Sequence, residues 1–405
     1  MLDVEAIRRD FPILSREVYG RPLVYLDSGA TAQRPACVTA MVEYIHNRLN
    51  ANIHRGVHYL SAETTKLYED ARETVRRFIG ADAREEIVFT SGATAAINTV
   101  AYAWGMQNVG RGDNIVVSEM EHHSDLVPWQ QIARMKGAEL RMLPFDDDGR
   151  LMTETLDGLL DERTKMVAVT QASNTLGTRP DLRAIIDKAH AAGAKVLVDG
   201  CQGIVHGGVD VKALGCDFYA FSGHKIFAPT GIGVLYGRRE LLEQMPPFMF
   251  GGDMVDKVTF EATTFAPLPL KFEAGTANYT GAIALGEALK YVGALPADEI
   301  AAYEAELLEY ATDELLKIEG LRIYGTTADK CPILSFNVEG VHHYDLGMIL
   351  DKAGIAVRTG HHCAEPVMEH FGVSGMCRAS LAMYNTATEI DALAAGVKRA
   401  VGMLK

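Results

Sequence analysis

The sequence predicts an α/β fold with a mostly parallel sheet, and three observations carry that expectation. Between residues 86 and 237, short apolar runs alternate with helical patterns. The runs are nearly continuous in Val, Ile, Leu and Phe rather than alternating with polar residues, as strands buried on both faces are. The polar residues fit for chemistry come directly after these runs, where such sheets gather their ligands.

The elements follow in order. Ile87-Val88-Phe89-Thr90 is the first strand, and Thr90-Ser91-Gly92-Ala93-Thr94-Ala95-Ala96-Ile97-Asn98 reads as a strand end, a small-residue turn and a helix start. Free amides at a helix start, with the Thr94 hydroxyl and the turn at Ala93, make a phosphate seat. The run Ile115-Val116-Val117-Ser118 delivers Glu121-His122-His123-Ser124. Adjacent histidines point in different directions and no further ligand stands at metal spacing, so no metal is expected. An imidazole lying on a flat aromatic cofactor suits His122, while His123 fits a loop histidine equally well. Met166-Val167-Ala168-Val169-Thr170 leads to Asn174, and Lys195-Val196-Leu197-Val198 to Asp199 and Gln202.

Phe218-Tyr219-Ala220-Phe221 is followed by Ser222-Gly223-His224-Lys225, and Ile232-Gly233-Val234-Leu235-Tyr236 closes the series. Lys225 thus stands at a buried strand end beside two hydrogen-bonding side chains. A Schiff-base lysine with an Asp partner for a pyridinium nitrogen is the protein's side of pyridoxal phosphate chemistry. Upstream, Asn52-Ile53-His54-Arg55-Gly56-Val57-His58 is too polar for a core helix. It reads as a loop that brings His54 and Arg55 to an anionic cofactor, in the same chain or across a dimer.

From about residue 282 the pattern changes to long helices, Ala282 to Tyr291 and Ile300 to Ile318. Short strand-like runs at Leu321–Tyr324 and Ile333–Val338 follow, then a final helix from Glu389. We expect a large domain over 17–290 and a smaller α+β domain over 291–405, joined by the N-terminal segment 1–16. The stretch Ala356-Val357-Arg358-Thr359-Gly360-His361-His362-Cys363-Ala364-Glu365-Pro366 reads as a loop, and loops carry chemistry disproportionately. Nearby positive charge favours the nucleophilic thiolate of Cys363. Arg378 offers a fork for a carboxylate. One fork, one thiol and one Schiff-base lysine describe an amino-acid enzyme with a nucleophile.

Composition narrows the class. With 48% hydrophobic and 23% charged residues the chain is ordinary globular material. A formal net charge of −14 argues against a nucleic-acid partner, which needs a basic face. No apolar run approaches signal-peptide or membrane-span length, and a cytoplasmic location is expected. The six cysteines form no CxxC pair, so neither a disulfide framework nor a zinc knuckle is indicated.

Taken together, Tyr25-Leu26-Asp27-Ser28, Met120-Glu121-His122-His123, Val198-Asp199-Gly200-Cys201-Gln202, Phe221-Ser222-Gly223-His224-Lys225 and Arg358-Thr359-Gly360-His361-His362-Cys363-Ala364 resemble the group II, SufS-like cysteine desulfurases. These belong to the fold type I pyridoxal phosphate enzymes related to class V aminotransferases. The resemblance runs nearly end to end, and its last block is the most discriminating. It implies a large domain with a mostly parallel seven-stranded sheet and a smaller α+β domain carrying the Cys loop. It implies Lys225 as Schiff-base lysine and acid/base, Asp199 as the pyridinium partner, His122 stacked on the ring and Gln202 on the ring hydroxyl. Ala93, Thr94, Ser222 and His224 fall at the phosphate, with Thr276 reaching the phosphate of a neighbouring subunit. Asn174 and Arg378 contact the substrate carboxylate, with Arg358, His54 and Arg55 near it, and Cys363 forms the persulfide.

The implied reaction converts L-cysteine to L-alanine and hands sulfur to a SufE-like or SufU-like acceptor for iron-sulfur cluster assembly, in a homodimer. L-Selenocysteine is the alternative substrate. A selenocysteine lyase or cysteine sulfinate desulfinase would use the same cofactor residues and depend far less on Cys363. A class V aminotransferase would need a keto acid and no thiol, and an idle scaffold would not need Lys225, Asp199 and Cys363 intact. Gly29 stands where many relatives have alanine, Ala277 where proline is usual, and Cys201, between Asp199 and Gln202, where alanine is expected; Cys201 reads as a packing residue.

Overall fold

The apolar runs assemble into one seven-stranded sheet. In chain order its strands are β1 (Ile87–Thr90), β2 (Asn114–Ser118), β3 (Glu139–Leu143), β4 (Thr164–Thr170), β5 (Lys195–Asp199), β6 (Phe218–Ser222) and β7 (Gly233–Gly237). Their spatial order is β1-β7-β6-β5-β4-β2-β3. Neighbours run parallel except around β7, which is antiparallel to β1 and β6. The computed structural model describes residues 2–405.

Successive residues of a strand face opposite sides, and both sides are covered. Ile115 and Val117 of β2 pack with Trp129 and Ile132, while Val116 joins Val167, Val196 and Tyr219 in a core on the other face. This double burial is why the strands read as continuous apolar runs. β3 is the exception that the sequence pattern did not reveal. It lies at the edge, Glu139 is exposed, and Arg141 pairs with Glu139 and Asp161, so its charges blur the strand signal.

Among the helices that flank the sheet are α1 (Tyr59–Phe78), α2 (Ala93–Thr99), α3 (His123–Lys136), α4 (Leu182–Ala191) and α5 (Tyr279–Gly293). α1 and α5 approach so closely that a Cβ on Gly286 would sit 2.9 Å from the Ala71 Cβ. The 290 boundary expected from sequence falls in the last turn of α5, whose buried face belongs to the larger core.

Beyond Pro296 come α6 (Ala297–Leu316), β8 (Leu321–Tyr324), β9 (Ile333–Val338), α7 (His343–Lys352), β10 (Arg358–Gly360), α8 (Glu365–Phe371), β11 (Met376–Ser380) and α9 (Ala387–Leu404). The four strands form an antiparallel sheet ordered β8-β9-β11-β10. The stretch read as a loop from Ala356 therefore begins as sheet and becomes irregular only after Gly360. The N-terminal region ties the two sheets together. Val24 and Tyr25 pair in parallel with Ile355 and Ala356, Val24 and Leu26 lie in the core of the smaller sheet, and Phe11 packs on Phe227, Tyr291 and Tyr384. No helix among the described residues is long and apolar enough to cross a membrane.

Candidate active site

A cavity of about 410 Å³ opens at the carboxyl ends of the central strands, within the usual range for small-molecule sites. Ala93, Thr94, His122, Asn174, Asp199, Gln202, Ser222, His224, Lys225, Arg358, Cys363 and Arg378 all line it. Residues far apart in sequence meet here because parallel strands present their ends on one edge, and because β10 and β11 dock the Cys363 segment over that edge.

Three of the expected residues lie elsewhere in the chain. The His54 ring lies 3.4 Å from Glu69, Arg55 pairs with Asp253 at 3.0 Å, and Thr276 is exposed; none lines the cavity. The nearby Glu273 accepts two hydrogen bonds from buried Arg72, at 2.6 and 2.9 Å, one from Tyr68 at 2.8 Å and one from the Phe89 amide at 2.7 Å.

At one end of the cavity, β1 turns through Gly92 into α2, leaving first-turn amides without intrahelical acceptors. The Ala93 amide donates to Ser222 Oγ at 2.8 Å, which locks this turn to the end of β6. Thr94 Oγ1 lies 2.7 Å from Ser124 Oγ. The His224 Nδ1 is buried with no partner, and burial together with the Lys225 and Arg34 charges holds the ring down near a pKa of about 4. Amides, hydroxyls and an unsatisfied imidazole nitrogen are the donor set of a phosphate seat.

In the middle of the cavity, Asp199 ends β5 and its Oδ1 accepts the Cys201 amide at 2.9 Å. Lys225 Nζ donates to the Gly29 carbonyl, which also accepts from Gln202 Nε2 at 2.8 Å. Burial pushes the Lys225 ammonium down to about 8, so the amine is available near neutral pH. Gly29 is packed tightly, since a Cβ there would lie 3.1 Å from Ser380 Cβ. His122 caps α3: its Nδ1 accepts the Ser124 amide at 3.1 Å, which orients the ring and puts the proton of the neutral form on Nε2. Burial lowers its pKa, favouring that neutral form. Cys201 also lines the cavity, and its thiol is pushed far up by burial and the Asp199 charge.

These groups fit pyridoxal phosphate: an amine freed by burial, a carboxylate at a strand end, a flat imidazole and an anion seat. Behind them, Glu121 and Asp125 are fully buried, and burial raises both carboxyls.

At the far end, Arg378 is 2% exposed and its Nη1 donates to the Asn174 carbonyl at 2.7 Å. Its Nε has no partner, and its Nη2 lies 3.5 Å from Asp27. Arg358 donates to both oxygens of the same Asp27, through Nε at 3.1 Å and Nη2 at 2.7 Å. Asp27 stands in the Tyr25-Leu26-Asp27-Ser28 motif, and the structure shows it holding two arginines. Asn174 Nδ2 donates to the His362 carbonyl at 2.7 Å, tying the Arg378 end to the Cys363 segment, and Cys363 itself is exposed.

The chain is similar to known proteins over nearly its whole length. An aminotransferase class-V family model matches residues 24–393. A cysteine desulfurase of Klebsiella pneumoniae (strain 342) is 52% identical over 98% of this chain and 98% of its own. One from Enterobacter sp. (strain 638) is 51% identical with the same coverage. Among solved structures, the cysteine desulfurase CsdA (S-sulfonic acid) of Escherichia coli superposes with a TM-score of 0.93 at 40% identity, covering 100% of both chains. The apo cysteine desulfurase of Thermococcus onnurineus NA1 gives 0.94 at 37% identity, covering 100% of this chain and 99% of that one.

Proposed function

The chain belongs to the aminotransferase class-V family, and on that premise we propose that it is a cysteine desulfurase that moves the sulfur of L-cysteine onto Cys363. The observation that carries the proposal is the meeting of Lys225 and Cys363 in one cavity, from segments on different sheets. An aminotransferase needs the lysine and has no use for the thiol.

Pyridoxal phosphate, when bound, supplies an electron sink for negative charge developing at the substrate carbon. Ala93, Thr94, Ser222 and His224 would hold its phosphate, Asp199 its ring nitrogen as the protonated form, Gln202 its hydroxyl and His122 its face. Arg378, which lines the cavity, meets the carboxylate of L-cysteine through its guanidinium, and Asn174 fixes the Arg378 and Cys363 segments relative to each other. Lys225 anchors the cofactor, then takes the proton from Cα of the bound cysteine and returns one to carbon after sulfur has left. The Cys363 thiolate attacks the substrate sulfur. The new S–S bond forms as the Cβ–S bond breaks, the electron pair stays with carbon, and protonation there gives L-alanine and a Cys363 persulfide.

Cys363 is exposed, as handing sulfur onward requires. The recipient is a SufE-like or SufU-like acceptor serving iron-sulfur cluster assembly. All six cysteines are unpaired, in keeping with the reducing cytoplasm. The enzyme acts as a homodimer. Val57 and Tyr59 beside His54 and Arg55, and Phe250 and Phe260 on the segment leading to Thr276, are exposed apolar side chains suited to a second copy, which would receive those three polar residues at its cavity.

The test is the yield of alanine and sulfide from L-cysteine with a thiol reductant, in wild type and Cys363→Ala. Cys363→Ala keeps the cofactor's visible absorbance and its response to cysteine but loses turnover. Undiminished turnover in that variant would remove Cys363 from the reaction, and equal rates on L-selenocysteine would then favour the lyase alternative.

A further inference from the structure

The Cys363 segment holds a backbone shape that it would not choose alone. His362 and Cys363 are consecutive non-glycine residues in the left-handed region, with φ of 53° and 56°, and such residues persist only where their surroundings over-determine them. Asn174 fixes the first through the His362 carbonyl. The second is fixed from α3. The His123 amide donates to the Cys363 carbonyl at 2.7 Å, and the His123 Nε2 accepts the Glu365 amide at 3.2 Å. The His123 ring also stacks on His361, with centroids 5.7 Å apart and planes at 28°. His361 Nδ1 in turn accepts the Cys363 amide at 3.1 Å.

We propose that His123 is a positioning residue for the sulfur-accepting thiol: it grips Cys363 O and the Glu365 N–H, one on each side of Ala364, and so keeps Cys363 facing the cavity that contains Lys225. The ring contact needs a lone pair on Nε2, which the neutral Nδ1–H tautomer provides. His123 touches neither cofactor nor substrate in this role, in contrast to His122, which lines the cavity. The inference rests on Cys363 being the nucleophile.

The experiment compares the holoenzymes of wild type, His123→Leu, His123→Gln and Cys363→Ala on L-cysteine with reductant. Leucine fills the space without an acceptor, and glutamine offers Oε1 near the place of Nε2. His123→Leu keeps the cofactor spectrum and KM, while kcat falls roughly 10- to 100-fold, the scale of a small misplacement of a reacting group; His123→Gln recovers most of the loss. Wild-type kcat in His123→Leu, no recovery in His123→Gln, or a lost cofactor spectrum in His123→Leu would each overturn the positioning role. Full turnover in Cys363→Ala would instead overturn the nucleophile assignment, so the two failures are told apart.

Discussion

Arg358 lies directly opposite Arg378 across the antiparallel pair β10–β11, and Asp27 answers both. Like charges opposed on neighbouring strands repel, and Arg378 is buried, so its guanidinium is lowered to about 10 by burial and by the Arg358 charge despite Asp27. The same guanidinium lines the cavity, with its Nε unpartnered.

Arg378→Lys retains the charge and loses the planar fork. With hydrogen bonds to charged groups worth about 1.5–3 kcal/mol, KM for L-cysteine rises ~10- to 100-fold while kcat changes far less. Steady-state kinetics over a range of cysteine concentrations check this, and an unchanged KM would place the substrate carboxylate elsewhere.

With Lys225 as the proposed anchor, its free amine sets the rate of cofactor capture. Because its pKa is lowered to about 8, the reactive fraction is small at pH 6 and large at pH 9. The rate at which apoenzyme regains visible absorbance with pyridoxal phosphate should therefore climb with pH and level off above about 8. A profile still climbing toward the ordinary lysine value of about 10.4 would show that burial does not tune this amine.

Glu273 holds Arg72 in the interior, with side chains 5% and 1% exposed. Glu273→Gln leaves the buried guanidinium compensated only by the more exposed Glu69, 3.1 Å from its Nε, so part of the ~3–5 kcal/mol typical of an uncompensated buried charge is lost. The urea midpoint should fall accordingly, and Arg72→Met combined with Glu273→Gln should restore part of the loss. A double variant no more stable than Glu273→Gln would refute the uncompensated charge as the cause.

Glu121 and Asp125 are buried without a cation, and their carboxyl pKa values are raised. Both bind protons more tightly folded than unfolded, so their contribution is fully present below the ordinary carboxyl range of about 4 and declines as pH rises through the raised values. Glu121→Gln removes one such group. Its stability relative to wild type should improve with increasing pH, as denaturant melts at several pH values will read; a pH-independent difference would count against the raised carboxyl.

Much of this was legible in the chain itself. The double-faced strands announced themselves as unbroken Val, Ile and Phe runs, since residues buried on both sides leave no polar alternation. Their polar followers, from Thr94 to Lys225, had to share an edge because parallel strands end together. β3 and β11 were not read: β3 is an edge strand with charged residues, and β11 carries a buried arginine in mid-strand that interrupts its apolar signal.

The sequence by itself therefore determined the fold class and the candidate reacting side chains, because burial and strand direction are local properties written in residue type. Only tertiary structure decided that Asp27 clasps two arginines, that His123 grips the thiol segment, and that His54, Arg55 and Thr276 stand outside their own chain's cavity. Those relationships join residues separated by tens to hundreds of positions, and the distances between them arise from how the two sheets pack, which no short pattern encodes.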